Sequence, residues 1–525
     1  MHFDLRQSPS NERVSKPAAR LATLNGLPRR SETDDQRLTI LSYETAVAQM
    51  YALGHELAQT PTHKFDLAHM RVLLAALGHP EKSFPSVLIA GTNGKGSTAA
   101  TLASILQASG FKTGLYTSPH LVRINERIRL DGQAISDDDF ALVHDVVGRT
   151  AERLVGEGDL PWHPSFFEML TAMAFEYFAR SRPEIVVLEV GMGGRLDATN
   201  VVEPRVSIIT DIALDHQRFL GETIPEITRE KAGIIRAGGA VVTLPQLAEA
   251  NDVIGHAILD AGARAVNAVP YVPPVSPGSA EFWETGKTLI AKDAKDGAEL
   301  PEKGRQRRQR YSLDVLGSTI MVDSPLIGRH QLRNVSLAVA AAVELREQGL
   351  DRITPDSIER GIRETHWPGR FQVVAGTVLP ATTDLAAASQ DPKAESRKPV
   401  EYVFDVAHNP AGAWALRSTL SSVYGERPIT MVFGVLRDKA VAEMAEILFP
   451  IAERVIATQA NNPRAATPAE IRQAAARVTG EIGEAESVRV ALEQAAQAAE
   501  PNGLVVVTGS IYIVGEAMRT LGARI

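Results

Sequence analysis

The feature that most constrains this chain is a glycine-rich turn between an apolar run and a helix-like segment. Val87–Ala90 is apolar, the turn over residues 91–96 contains Lys95, and an amphipathic pattern follows from Thr98 to Ala108. A strand, a glycine-rich loop and a helix in this order predict a phosphate-binding loop. In such loops backbone N–H groups and the helix N-terminus attract anions, and the lysine neutralises terminal phosphates. The sequence therefore predicts ATP binding.

The match to the common phosphate-loop pattern departs at two positions. That pattern has glycine five residues before Gly94, where this chain has Ile89, and Ser or Thr directly after the lysine, where it has Gly96. An ordinary glycine-rich turn is the alternative for this heptapeptide taken alone. The preceding apolar run and the following helical pattern favour the phosphate loop.

Composition is typical of a soluble enzyme and argues against several other classes. The 525 residues suffice for two or three domains, and the chain has no cysteine for a disulfide, a thiolate metal site or a nucleophile. The formal net charge of −8 gives no reason to expect nucleic acid. Because the N-terminus has no apolar leader and no apolar run approaches a membrane span, we expect a cytoplasmic protein without a membrane partner.

The first part of the chain has the pattern of a doubly wound α/β domain. Residues 1–40 are polar and are expected to form a disordered tail. Helical spacing from Tyr43 to Leu77 is broken at Pro61, which predicts two helices. Strand-like runs then alternate with helical patterns, so residues 41–366 are expected to build a parallel sheet that binds ligands at the carboxyl ends of its strands.

A second alternating region predicts a Rossmann-like C-terminal α/β domain over residues 367–525, with a loop insertion at about 376–400. Residues 270–312 change character and look like an insertion in the first domain. The basic run Arg305–Arg310 at its end is either an anion-binding patch or a solvated loop. The acidic residues just before it favour the loop.

Polar residues of several kinds lie near the expected strand ends, namely Ser118, Glu189, His216 and Lys231. A carboxylate in a buried strand is costly unless it is paired or bound to a cation. Taken singly, an ion pair of Glu189 with Arg195 or Lys231, and a core or surface histidine at 216, are the simpler explanations. Beside a nucleotide loop, a hydroxyl, a carboxylate and an imidazole together indicate Mg²⁺ sites, with His216 the least typical ligand.

Further segments carry a resemblance that extends over most of the chain. They are Gly91-Thr-Asn-Gly-Lys-Gly-Ser97, Thr117-Ser-Pro-His-Leu121, Glu126-Arg-Ile128, Leu188 to Asn200, Leu214-Asp-His216, Arg229 to Ile234, His330-Gln331 with Asn334, Trp367-Pro-Gly-Arg370, Asp405-Val-Ala-His-Asn409, Gly434 to Lys439 and Thr508-Gly-Ser510. In this order they resemble the folylpolyglutamate synthase/dihydrofolate synthase family of the Mur ligase superfamily. One departure is Asp-Val-Ala-His-Asn where the family usually has Asp-Gly-Ala-His-Asn.

The resemblance implies the fold and a set of site residues. The fold is a P-loop Mur-ligase-like central domain followed by a C-terminal Rossmann-like domain. ATP contacts are implied for Thr92, Asn93, Gly94, Lys95, Gly96, Ser97, Asn334, Arg370 and Asp405. Magnesium ligands are implied at Ser118, Glu189, His216 and Lys231, the last as a carbamate, with two Mg²⁺ ions and K⁺ as a further candidate cofactor. Contacts to the pterin or folate are implied for Lys64, Phe65, Asp66, Ser165, Phe166, Phe167, Glu168, Arg195, Leu196 and Asp197.

The implied activity is ATP-dependent ligation of L-glutamate to dihydropteroate, and to the γ-carboxylate of reduced folates, through an acyl phosphate. Lys95, Lys231 and His408 are its expected catalytic residues. His408 either assists at the glutamate amine or orients Asp405. We expect a monomer.

Two other functions stay open at this point. One is a Mur-type ligase for a cell-wall precursor, against which stand the Thr117–Leu121 segment and the absence of a UDP-sugar domain before the first helix. The other is a nucleotide-dependent switch without ligase turnover, against which stands the extended catalytic set at His216, Lys231, Arg370 and Asp405.

Overall fold

The computed structural model describes residues 41–54, 67–274, 307–376, 400–478, 481–500 and 502–523, and every structural statement below refers to these. The expected tail at 1–40 lies outside them, and so do Lys64, Phe65 and Asp66. Most of the two expected insertions, at 275–306 and 377–399, also lies outside the described residues.

Helices and strands alternate through most of the chain. The helices are α1 Tyr43–Ala52, α2 Leu67–Ala76, α3 Lys95–Ala108, α4 Asp137–Glu157, α5 Phe166–Ser181, α6 Gln217–Leu220, α7 Ile224–Ala232, α8 Ala248–Asp260, α9 Arg329–Glu347, α10 Pro355–Glu364, α11 Pro410–Tyr424, α12 Val441–Leu448, α13 Pro468–Ala474, α14 Val488–Ala498 and α15 Ile511–Thr520. The strands are β1 Ser86–Ala90, β2 Thr113–Tyr116, β3 Ile128–Leu130, β4 Gln133–Ala134, β5 Ile185–Glu189, β6 Val206–Ile209, β7 Ala240–Thr243, β8 Arg264–Asn267, β9 Gln309–Val315, β10 Ser318–Ser324, β11 Gln372–Gly376, β12 Val400–Phe404, β13 Ile429–Phe433, β14 Arg454–Ala457, β15 Ile482–Glu484 and β16 Leu504–Thr508. Short 3₁₀ turns lie at Pro80–Lys82, Ile124–Arg127, Ala198–Val201, Val269–Tyr271 and Phe449–Ile451.

The first sheet has the strand order β4-β3-β2-β5-β1-β6-β7-β8. Strands β2, β5, β1, β6, β7 and β8 run parallel to one another. Strands β3 and β4 add an antiparallel edge beside β2. Successive residues of β1 point to opposite faces, so Val87 and Ile89 join one hydrophobic core while Leu88 and Ala90 join another. Helices cover both faces, as the buried, apolar strands require. The carboxyl ends of β2, β5, β1 and β6 therefore lie side by side.

The second sheet has the order β11-β12-β16-β13-β14-β15. All of its pairs are parallel except that of β11 with β12. Val403 faces one core and its neighbours Tyr402 and Phe404 face the other. Both the mixed α/β class and the C-terminal sheet agree with the sequence prediction. The two sheets support a proposed domain boundary near residue 366.

Capping chemistry sets several helix starts that the sequence displays. Ser165 accepts the backbone N–H of Glu168 at the start of α5, and the Glu168 side chain accepts the N–H of Ser165 in return. Thr223 and Glu226 form the same reciprocal pair at α7. Since each pair satisfies two backbone donors that the helix leaves open, these helices begin at defined residues.

A β-hairpin that the sequence prediction did not contain follows the first undescribed insertion. Strands β9 and β10 pair antiparallel, and Tyr311, Leu313, Ile320 and Val322 bury one face of the hairpin in the core that contains α3, α9 and α10. Residues 309–312 thus belong to the packed domain. Of the basic run, Arg308 and Arg310 each place Nε 3.0 Å from the same Asp323 oxygen, so these cations are paired within the hairpin.

Among the residues described here, none of the helices is both long enough and apolar enough to span a bilayer.

Candidate active site

The predicted phosphate loop lies at the carboxyl end of β1, in the middle of the first sheet. The backbone N–H groups of Thr92 and Asn93 donate to the carbonyl of Asp211, at 2.9 and 3.2 Å. Thr92 Oγ1 donates to the carbonyl of Ala213 and accepts from its N–H, at 3.0 and 3.1 Å. These bonds fix the loop against the segment that leaves β6.

Glycine is required in this loop because its neighbours approach very closely. Gly94 has φ +91°, and a Cβ there would lie 2.1 Å from Asn334 Oδ1 of α9. A Cβ on Gly96 would lie 2.7 Å from a ring carbon of Trp367. The second close approach explains why Gly96 replaces the Ser or Thr of the common pattern, since a larger side chain would displace the indole ring.

A cavity of about 870 Å³ opens directly beside the loop. We call it the first cavity; it is lined by residues 91–97, by Ser118, Glu189, His216 and Lys231, and by Asn334, Arg370, Asp405 and His408. The structure therefore brings together the predicted ATP and metal residues from several separate strands and helices, including residues of both sheets.

Glu189 and Ser118 are joined in this cavity. Glu189 ends β5 and is 4% exposed, and its Oε2 accepts the backbone N–H of Ser118 at 3.1 Å. Burial raises the pKa of Glu189, against the opposing effect of Lys95, Arg370 and Arg127. The ion pairs that Glu189 was alternatively expected to make, with Arg195 or Lys231, are not found among the described residues; Arg195 pairs with Glu230 at 2.8 Å. A carboxylate buried in this way favours a bound cation.

His216 offers a neutral imidazole. Burial, together with the charges of Lys439 and Lys231, lowers its pKa to about 3, while Asp215 opposes this shift. A neutral ring keeps a lone pair for a metal or a proton. Within the described part of the chain, no three His, Asp or Glu side chains gather into a metal site by themselves. A cation here needs the Ser118 hydroxyl, phosphate oxygens or a modified lysine to complete its ligands.

Lys231 is buried, and its Nζ donates to the Gly91 carbonyl at 2.8 Å. Lys95 Nζ donates to the same carbonyl oxygen at 3.1 Å. Two ammonium groups thus converge on one acceptor. Burial and repulsion from Lys95 together lower the pKa of Lys231 to about 7, against the opposing charges of Asp215 and Asp197. The side chain is accordingly an amine that loses its proton near neutral pH.

Arg370, Asp405 and Asn334 close the first cavity. The Asp405 carboxylate accepts the backbone N–H groups of Phe371 and Ala407, both at 2.9 Å. Burial raises the pKa of Asp405 and lowers that of Arg370, and each of these charges opposes the other's shift. Asn334 Nδ2 donates to Gln331 Oε1 at 2.8 Å. All three residues line the first cavity, so each is placed where it could contact ATP bound there, as the sequence predicts.

A second cavity, of about 730 Å³, adjoins the first. Its lining includes the predicted substrate residues Ser165, Phe166, Phe167, Glu168, Arg195, Leu196 and Asp197 together with Trp162. Ser118, His216, Arg370 and His408 border both cavities. The two cavities therefore meet beside two predicted metal ligands, a predicted ATP contact and a predicted catalytic histidine.

Two of the predicted substrate residues also have structural partners. Glu168 Oε2 accepts from Ser165 at the start of α5, and its Oε1 lies 3.2 Å from His69 Nδ1. Asp197 accepts from Thr199 and from the backbone N–H of Met192, and burial raises its pKa. Both carboxylates shape the wall of the second cavity through these bonds, whatever they contact in a substrate.

Comparison with known proteins identifies the family. Residues 392–511 match the family model described as Mur ligase, glutamate ligase domain. The chain is 32% identical over 483 residues to folylpolyglutamate synthase of Lacticaseibacillus casei, covering 92% of this chain and 99% of that protein. It is also 32% identical over 461 residues to dihydrofolate synthase/folylpolyglutamate synthase of Escherichia coli, covering 87% and 92%.

The chain belongs to the folylpolyglutamate synthase/dihydrofolate synthase family. Its structure resembles that of Mycobacterium tuberculosis folylpolyglutamate synthase complexed with ADP and AMPPCP, with a TM-score of 0.71 and 29% identity over 91% of this chain and 99% of the other. A folylpolyglutamate synthase complex with AMPPCP and folate gives a TM-score of 0.69 and 29% identity, covering 92% and 100%. The protein is thus an ATP-dependent ligase with a Mur ligase fold. Of the three functions that the sequence left open, the folate ligase is the one these relatives support.

Sequence reasoning on this ligase missed a contact network centred on Asp215. Its Oδ1 accepts from Lys439 Nζ at 2.6 Å and its Oδ2 accepts from Asn409 Nδ2 at 3.2 Å. His408 Nε2 lies 3.6 Å from Asp215 Oδ2, so His408 faces Asp215, while Asp405 is held by backbone N–H groups. The segments containing Asp215 and Lys439 carried the family resemblance, but only their pairing across 224 residues of chain reveals a role.

Proposed function

We propose that this ligase joins L-glutamate to dihydropteroate, and to the γ-carboxylate of reduced folates, through an acyl phosphate. The observation that carries the proposal is the meeting of the two cavities beside Ser118, His216, Arg370 and His408. A carboxylate at this junction would lie between a nucleotide on the phosphate loop and an aromatic group in the second cavity. Trp162, Phe166 and Leu196 give that second cavity the apolar surface that suits a flat ring.

The proposed reaction has two steps, phosphoryl transfer to the substrate carboxylate and then transfer of the acyl group to the glutamate amine. A carboxylate oxygen of the pterin-bearing substrate attacks the γ-phosphorus of ATP, ADP leaves, and an acyl phosphate forms. The amine nitrogen of L-glutamate then attacks the acyl carbon, and phosphate leaves with the former carboxylate oxygen. The amine proton goes to a base, for which we propose His408 because it borders both cavities.

We propose that Lys95 and the backbone N–H groups of residues 94–97 hold the terminal phosphates of ATP, since those of Thr92 and Asn93 already donate to the Asp211 carbonyl. Lys95 lies at the start of α3 and contributes a cation where phosphoryl transfer spreads negative charge. Arg370 is the second proposed cation; its charge lies close enough to Glu189 to shift the pKa of that carboxyl. Asn334 is proposed to contact the nucleotide from α9, where its side chain faces Gly94.

The donor set fits magnesium, and we propose that Ser118, Glu189, His216 and a carbamate on Lys231 hold two Mg²⁺ ions with the nucleotide phosphates. Hydroxyl and carboxylate oxygens are hard ligands that Mg²⁺ prefers. When bound, Mg²⁺ supplies charge neutralisation at the phosphoryl oxygens. Lys231 fits a carbamate because CO₂ reacts with the neutral amine, which its lowered pKa provides. The anionic product would also remove the repulsion from Lys95.

Two substrates require the second cavity to accept one ring at different depths. The reacting carboxylate sits directly on the benzoate of dihydropteroate but one glutamyl residue further out in a folate. The 730 Å³ of the second cavity, bordered by residues of both sheets, gives room for both poses. Dihydropteroate is the better-supported substrate, because the segments at residues 64–66 and 165–168 resemble the dihydropteroate-binding segments of bifunctional bacterial members.

The test supplies purified protein with ATP, Mg²⁺, L-glutamate and either dihydropteroate or a reduced folate monoglutamate. We expect amide product and ADP from both acceptors, with ADP release dependent on glutamate. Product from the folate alone would overturn the dihydrofolate synthase assignment. Product from dihydropteroate alone would overturn folylpolyglutamate synthesis by this enzyme.

A further inference from the structure

An ionic network, buried except at His408, joins the two sheet-bearing halves of the ligase at the junction of its cavities. Asp215 belongs to the segment after β6 of the first sheet, whereas Lys439, Asn409 and His408 follow strands of the second. The Asp215 and Lys439 side chains are 8% and 7% exposed, and their Oδ1···Nζ distance is 2.6 Å. We call these four residues the Asp215 clasp.

The clasp also reaches the phosphate loop. Asn409 Nδ2 donates both to Asp215 Oδ2, at 3.2 Å, and to Asn93 Oδ1, at 2.9 Å. Asn409 Oδ1 in turn accepts the backbone N–H of Gly412, which caps α11. One asparagine thus ties the ATP-side loop, the Asp215 carboxylate and a helix of the C-terminal half together.

The position of the clasp relates it to the second step of the proposed reaction. His408 borders both cavities, and Lys439 lines only the second. Asp215 lines only the first cavity and holds both side chains on one carboxylate, so the clasp spans the junction between the two cavities. A short charge-assisted bond between buried partners fixes side-chain position more tightly than neutral contacts do.

We propose that Asp215 is a positioning residue for amide formation, holding Lys439 and His408 of the C-terminal half where the glutamate amine meets the acyl phosphate. This inference rests on the proposed function, since it assigns Asp215 to the second of the two steps. Acyl-phosphate formation should depend less on this pairing, because Lys95 and Arg370 donate to backbone carbonyls and, among the described residues, not to the clasp.

The test separates the two steps with hydroxylamine, a small amine that traps an acyl phosphate as a hydroxamate. Asp215→Asn keeps the shape of the side chain but removes its charge and replaces one acceptor oxygen by an NH₂ donor. In this variant we expect kcat/KM for L-glutamate to fall at least tenfold, with a raised KM for glutamate. The hydroxylamine-dependent rate with ATP and dihydropteroate, and the KM for ATP, should stay within threefold of wild type. An equal loss in both rates would indicate a general structural role and overturn the proposal, as would no loss in either.

A matched control is Glu470→Gln. Glu470 pairs with Arg437, two residues before Lys439, at 3.0 Å, and neither partner borders either cavity. This variant loses an ion pair of the same loop and should leave both rates unchanged. If wild-type protein forms neither amide nor hydroxamate, the proposed function itself fails, which is a different outcome from an active wild type with an unselective Asp215→Asn.

The pairing of Asp215 with Lys439 is tested by Lys439→Met alone and with Asp215→Asn. If both residues act through one contact, the double variant should lose no more than threefold beyond the worse single variant in kcat/KM for glutamate. Fully multiplicative losses would show independent roles and overturn the clasp.

Discussion

Replacing Gly94 by alanine tests the geometry of the phosphate loop with a control that the chain itself provides. Gly94 and Gly78 have similar positive φ angles, +91° and +84°. A Cβ on Gly78 would meet nothing within 4 Å, but on Gly94 it would lie 2.1 Å from Asn334 Oδ1. Gly78→Ala therefore reports backbone strain alone, and Gly94→Ala reports strain together with displacement of Asn334.

The expected magnitudes follow from these contacts. A left-handed conformation costs an alanine about 1–2 kcal/mol, so both variants should lose about that much stability. Displacing Asn334 breaks its bond to Gln331, which adds about 1 kcal/mol to the loss for Gly94→Ala alone. If Asn334 also contacts ATP, a further loss of about 1.4 kcal/mol in binding raises the dissociation constant roughly tenfold.

The assays are chemical denaturation of both variants and titration of each with ATP. Gly94→Ala should be the less stable of the two and should bind ATP at least tenfold more weakly than wild type, whereas Gly78→Ala should bind ATP normally. Equal stability losses and unchanged ATP affinity in both variants would refute the proposed packing of Asn334 against the loop.

Four further predictions address the chemistry and the insertion. Lys95→Ala should remain folded by circular dichroism yet lose acyl-phosphate formation, because its cation at the loop is gone; near-normal turnover would remove the ATP-site assignment. Lys231→Ala should be nearly inactive and partly restored by acetate. Because the pKa of Lys231 is about 7, its neutral fraction rises about tenfold between pH 6 and pH 8. Wild-type enzyme from which the Lys231 carbamate has been removed should regain activity about tenfold faster at pH 8 than at pH 6 when the concentration of dissolved CO₂ is the same. A reactivation rate that does not change with pH would count against the carbamate. Replacing residues 275–306 by a short Gly/Ser linker, with strand β9 kept intact, should leave KM values within a few-fold; a large loss of glutamate or pterin affinity would assign the insertion to substrate binding.

Sequence patterns predicted the parts of this fold that depend on local physics. The helices α1 and α2, the apolar strands β1, β5 and β6, and the glycine-rich loop all follow from periodicity and turn chemistry within a few residues. The β9–β10 hairpin was not predicted, because its alternating residues sit beside a charged insertion whose composition suggested a loop.

The candidate active site likewise contains residues that the sequence predicts and contacts that only the folded structure shows. Residues of the phosphate loop, and Ser118, His216 and Arg370 of the family motifs, could be named from the sequence, and they line the two adjoining cavities. The Asp215–Lys439 pair could not be found in this way, because a contact between residues 224 apart depends on how the two sheets face each other. Likewise, the sequence does not reveal that two lysines share the Gly91 carbonyl, because Gly91 and Lys231 are 140 positions apart in the chain.

The most direct test of the central claim follows one oxygen atom through the reaction. Dihydropteroate labelled with ¹⁸O in its carboxylate is converted with ATP, Mg²⁺ and L-glutamate, and the released inorganic phosphate is analysed by mass spectrometry. Ligation through an acyl phosphate predicts one labelled oxygen in each phosphate formed. Unlabelled phosphate accompanying amide product would contradict the mechanism.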